Sequence, residues 1–163
     1  MNHKYLILFL LFFCKNLFCF EIQYFISEFF YKNPHSYSIN GFKLVKYFPG
    51  ELLESALKTK QEIYKSCEPK TKTEFIVNLY PSTVYDTFLK SITTDMKVRI
   101  FSENTVKPVE LIVSYQNQVF LKEDSENLIT EHYSKLIDKL SNKISEIKLP
   151  SKKIDGSKCL NFQ

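Results

Sequence analysis

Apolar residues fall into blocks of different spacing along the chain, and each spacing assigns an element. Between Ser125 and Lys148, Ile129, Tyr133, Leu136, Leu140, Ile144 and Ile147 recur in steps of three and four, with Leu128 and Ile137 widening the stripe. That period predicts an amphipathic helix, a rod of about 36 Å, capped by Asp124 or Ser125 and ended by Pro150. A second helix is expected from Glu51 to Ser66. There Leu53, Leu57, Ile63, Tyr64 and Cys67 approximate one face, and Glu51 and Glu54 suit the positive end of the helix dipole.

Elsewhere the period falls to two. Met96, Val98 and Ile100 alternate with Lys97, Arg99 and Phe101, and Val109, Leu111 and Val113 alternate with Glu110, Ile112 and Ser114. The polar stretch between them, ending in Pro108, suits an antiparallel return, and Val119 to Leu121 is expected to extend the sheet. Glu74 to Tyr80 reads as a strand by its β-branched and aromatic content. Pro81-Ser82-Thr83 is expected to stop that strand, with Ser82 or Thr83 capping a short helix through Lys90. Ser36 to Ile39 and Phe42 to Tyr47 flank Asn40-Gly41, a dipeptide that tolerates the positive backbone angles of a type I′ turn, so a hairpin is expected. Glu21 to Tyr31 reads as a strand, broken by Asn33-Pro34.

These elements predict an α+β domain: an antiparallel sheet with an N-terminal hairpin, covered by two amphipathic helices including the long C-terminal one. The 163 residues suit one core of ordinary size. The domain is placed at 20–150, and a lysine-rich tail at 151–163 is expected to be loose except where Cys159 pins it.

Residues 1–19 stand apart. Lys4 precedes nine consecutive apolar residues, Tyr5 to Phe13, and a weakly polar stretch follows. This is the layout of a secretory signal peptide; Lys15 and Asn16 interrupt the run before it reaches the length of a spanning helix. Cleavage is expected after Cys19, which leaves no transmembrane segment and predicts a secreted, periplasmic or cell-envelope location. Cys14 and Cys19 leave with the leader. Cys67 and Cys159 remain, and an even pair in an oxidising compartment predicts one disulfide.

Charge then narrows the partners. The chain carries 22 basic and 18 acidic residues, and the leader takes Lys4 and Lys15 with it, so the mature chain is almost neutral. Arg99 is the sole arginine. Nucleic acid is therefore not an expected partner, since counterion release and bidentate phosphate contacts need cationic clusters.

Chemistry is sparse. Three separated glycines, Gly41, Gly50 and Gly156, make no phosphate-cradling loop. The sequence has no H-E-x-x-H pair, no G-x-S-x-G elbow and no C-x-x-C, so no catalytic set, metal or cofactor is assigned. His35 in a turn and His132 on the long helix are the candidates for a small exported hydrolase, with Cys67 as a nucleophile if its thiol is free. The aromatic content of 15% is concentrated at Tyr24, Phe25, Phe29, Phe30, Tyr31, Phe42, Tyr47 and Phe48, a candidate surface for an envelope protein or lipid. The expected function is a non-enzymatic exported binding or scaffolding module, the alternatives being that hydrolase and a carrier of an apolar ligand or lipid.

Overall fold

The structure, a computed structural model, describes residues 21–39, 43–86, 88–103, 107–118, 125–148 and 152–162. The leader, the Asn40-Gly41 turn with Phe42, the 119–121 extension and the Asp124 cap lie outside the described residues. In chain order the elements are β1 (Ile22–Ile26), α1 (Glu28–Lys32), β2 (His35–Ile39), β3 (Lys43–Tyr47), α2 (Pro49–Lys58), β4 (Tyr64–Ser66), β5 (Lys72–Thr73), β6 (Phe75–Asp86), β7 (Ser91–Phe101), β8 (Val109–Gln118), α3 (Ser125–Ser145) and β9 (Ile154–Asp155). A 3₁₀ helix, Gly156–Phe162, follows β9.

The class is α+β, but the main sheet is mixed, not antiparallel throughout. Its order is β4-β1-β6-β7-β8, with β1 parallel to both β4 and β6 and the β6-β7-β8 meander antiparallel. The parallel pairs arise because α1, the antiparallel β2-β3 pair and α2 all lie between β1 and β4 in the chain. A connection of that length returns to the starting end of the sheet, which a tight turn cannot do.

Three local expectations are corrected. The Glu21–Tyr31 strand ends at Ile26, where Ser27 caps α1 by accepting the Phe29 amide on its hydroxyl. The second helix stops at Lys58 instead of Ser66. Thr59 Oγ1 bonds back to the Ala56 carbonyl at 2.7 Å, and Tyr64 enters β4 opposite Ile22. The helix expected after Pro81 is absent because β6 runs straight through that proline to Asp86. Pairing with β1 ends at the Ile26–Leu79 pair, so beyond it, among the described residues, β6 is strand-paired with β7 alone, an edge position that tolerates a residue lacking N–H.

Register then separates two faces. Tyr24, Val77, Ile100 and Val109 make one cross-strand row, and Phe25, Asn78, Arg99 and Glu110 the next. The first row faces α3, α2 and the hairpin. Val77, Met96, Val98, Val113, Leu53, Leu57, Ile129, Leu136 and Leu140 are buried together there. The opposite face carries a smaller cluster of Ile76, Ile154 and Cys159, with Cys67 and Phe101 packed against it. The C-terminal segment that covers it is not loose: β9 pairs with β5, and the Gly156 amide donates to the Thr71 carbonyl at 2.8 Å. Among the described residues no helix is long and apolar enough to cross a membrane.

Candidate functional site

An open groove of about 380 Å³ lies where β3, the start of α2 and the first turns of α3 diverge. Strand alternation makes it two-sided. Val45 and Tyr47 point inward and are buried, while Lys46 between them faces solvent. Phe48 then precedes Pro49 at the first position of α2, where a missing N–H costs no helical hydrogen bond. Across the gap, Ile129 supplies buried hydrocarbon and Asn127 and Thr130 a polar lip. Leu52 extends the apolar wall, and the Lys46 ammonium and Glu51 carboxylate stand at its mouth.

Behind the floor runs a buried polar row. The Tyr47 ring meets that of Tyr133 edge-on at 6.5 Å and that of His35 at 5.9 Å. The Tyr133 hydroxyl lies beside those of Tyr47 and Thr83 without a well-formed hydrogen bond, and burial pushes its pKa far above the phenol range. Thr83 Oγ1 donates to Thr94 Oγ1 at 3.3 Å, and Thr94 Oγ1 lies 3.1 Å from His132 Nδ1. The His132 ring is fully buried, meets Tyr115 edge-on at 4.7 Å, and has no partner at Nε2 among the described residues. Desolvation lowers its pKa, with Glu131 opposing, and lowers that of His35 too. Burial thus disfavours the charged form of both rings.

The hydrolase candidates are not brought together. His132 bonds a threonine, not a carboxylate. His35 packs between Phe30 and Tyr47, and Cys67 is joined to Cys159, with Cα atoms 6.1 Å apart. Among the described residues no three His, Cys, Asp or Glu side chains converge as a metal ion requires.

The aromatic set divides by depth. Tyr24 and Tyr47 are core residues, and Phe30 and Tyr31 pack against the core. The Tyr31 hydroxyl donates to Glu54 at 3.1 Å. Phe29 and Phe48 are exposed, Phe25 is half-buried, and Phe42 lies outside the described residues. The seven described residues therefore form no single exposed patch. Among those seven, Tyr47 and Phe48 line the groove. Its other walls, Leu52 and Ile129, look like ordinary helix-stripe residues in sequence, and nothing in their spacing separates a groove wall from core.

In fold the chain is similar to a solved crystal structure of an uncharacterized protein, with a TM-score of 0.50, 7% identity, and coverage of 77% of this chain and 90% of that one. At that identity the likeness extends to fold alone. No family model and no curated protein matches the sequence.

Proposed function

We propose that the chain is an exported, non-enzymatic binding module whose ligand site is the groove between β3, α2 and α3. The observation that carries this reading is the groove's construction: an apolar floor of Val45, Tyr47 and Ile129 under a mouth bearing Lys46, Glu51, Asn127 and Thr130. Its volume falls in the range of small-molecule sites, roughly 300 Å³ and above. A ligand with an apolar body and a polar end matches such a wall and rim, and here the binding-module and apolar-carrier readings coincide. Export is supported by the leader pattern and by the Cys67–Cys159 pair, which an oxidising compartment maintains.

Two measurements test this. Protein expressed from Met1 in a secreting host is expected outside the cytoplasm with its N-terminus at Phe20 or within a few residues; recovery with Met1 retained refutes export. Displacement of an anilinonaphthalene sulfonate probe by decanoate is expected to saturate in the wild type. It should weaken at least about tenfold in Thr130→Trp and Asn127→Trp, which fill the groove from exposed positions. Non-saturable binding, or binding indifferent to both substitutions, refutes the site.

A further inference from the structure

We infer that the outer edge of β8 is a docking site for an extended, acidic segment of a partner protein, added to the sheet as a further antiparallel strand. This surface is separate from the groove and does not depend on it. β8 ends the sheet and, among the described residues, pairs with β7 alone. Its ten residues, Val109–Gln118, expose the side chains of Glu110, Ile112, Ser114, Gln116 and Gln118, with Ile112 62% exposed. An edge of that length is a template for strand addition unless something occupies its backbone groups.

Two lysines occupy part of it. Lys139 Nζ donates to the Ser114 carbonyl at 2.7 Å, and Lys143 Nζ to the Ile112 carbonyl at 3.3 Å. Both lysines belong to α3, and the spacing explains the match. Four helical residues advance about 6.0 Å and two strand residues about 6.8 Å, so a lysine every fourth position meets every second carbonyl. Lys135 continues the same row one step toward the N-terminus of α3. The edge is thus flanked by a line of ammonium groups on the α3 side, while the other side carries the exposed Ile112.

That asymmetry selects the occupant. A strand laid against β8 alternates its side chains between the two faces at the same 6.8 Å step. Carboxylates at every second position meet the lysine row, and apolar residues at the alternate positions cover Ile112. The ammonium groups then move from carbonyl to carboxylate, releasing the edge carbonyls to the incoming amides. A second copy of this chain is a poor fit. Antiparallel β8–β8 pairing puts both α3 helices on one face and sets lysine row against lysine row, a like-charge contact that opposes association.

The test uses the full mature chain and a blocked heptapeptide, Glu-Val-Glu-Val-Glu-Val-Glu, with its lysine counterpart as control. Hydrogen exchange and amide shifts are read with and without peptide. The expected result is slowed exchange at the Ile112 and Ser114 amides with the acidic peptide and none with the lysine peptide. Affinity should fall about tenfold in the double variant Lys139→Gln/Lys143→Gln and stay unchanged in Lys32→Gln, which lies on α1. Three outcomes overturn the proposal: no protection at β8, binding indifferent to the double variant, or a wild-type dimer whose β8 amides are already protected without peptide.

Discussion

Removing the Cys67–Cys159 bond is the sharpest perturbation the structure offers. The cysteines are 92 positions apart, so the bond closes most of the folded chain into one loop. In the chain-entropy model, closure at that length restricts the unfolded ensemble by about 4.6 kcal/mol at 25 °C. An unfolding entropy of about 2.1 cal/mol/K per residue converts this to a melting-temperature drop of about 15 °C for a mature chain of this size. The loss is a large share of the 5–15 kcal/mol that single domains possess. The assay compares urea and thermal unfolding of oxidised protein, reduced protein and Cys67→Ala/Cys159→Ala by far-ultraviolet circular dichroism. Hydrogen exchange at Gly156, whose amide is held by Thr71, follows in parallel. Exchange there should accelerate before the main sheet opens, because the bond pins the 3₁₀ helix over Ile76 and Phe101. A stability change under about 1 kcal/mol in both the reduced protein and the double variant would refute the reasoning.

Acid provides a second prediction. Burial lowers the pKa of His132, so the native state refuses a proton that the unfolded chain takes up below about pH 6.5. Stability should therefore fall as pH drops through that value toward the depressed native pKa, by up to about 1.4 kcal/mol per pH unit from this residue. Urea midpoints from pH 7 to 5 should show a shallower decline in His132→Phe; an identical slope would mean the ring is not buried neutral. Thr94→Val strips His132 Nδ1 of its hydrogen bond and should cost about 1–3 kcal/mol, with Thr94→Ser restoring most of it in the same titration. Gly156→Ala puts a methyl against the Glu68 carbonyl and Gln23 Oε1 and should cost about 1–3 kcal/mol by overpacking. A neutral urea midpoint there would show that this corner yields.

What the sequence made legible was periodicity sustained over many residues. The α3 stripe and the alternation in β7 and β8 were readable because packing and local pattern agree there. Pro81 misled because a proline is a stop only in a strand with neighbours on both sides, and the neighbour lost at Leu79 is set by the length of β1. Tyr64 was drawn into a helix because its spacing from Leu57 suits one, whereas its place is beside Ile22 in a parallel pair. Parallel pairing joins segments whose sequence distance carries no local mark. The groove was illegible for the same reason. Tyr47 and Ile129 lie far apart in the chain; Ile129 is of the same aliphatic type as the buried Leu136, and the aromatic character that marked Tyr47 did not separate it from core residues such as Tyr24.

Polar groups buried along α3 serve a purpose that hydrocarbon alone cannot. The stripe from Leu128 to Ile144 repeats every turn, so a shift of α3 by one turn, about 5.4 Å, would set similar side chains against similar partners. Directional contacts remove that degeneracy. At one end His132 reaches Thr94; toward the other, Ser141 Oγ lies 3.1 Å from the Tyr64 hydroxyl, whose pKa burial pushes up to about 12. Between them Asp138 pairs with Lys60 at 2.8 Å. A one-turn slip breaks all three and leaves buried donors and acceptors without partners, at about 1–3 kcal/mol each for the buried hydroxyl and imidazole. The same register sets Lys139 and Lys143 opposite the β8 carbonyls and Ile129 opposite Tyr47 across the groove. Both proposed binding surfaces therefore depend on a register of α3 that these polar contacts specify and its apolar stripe alone does not.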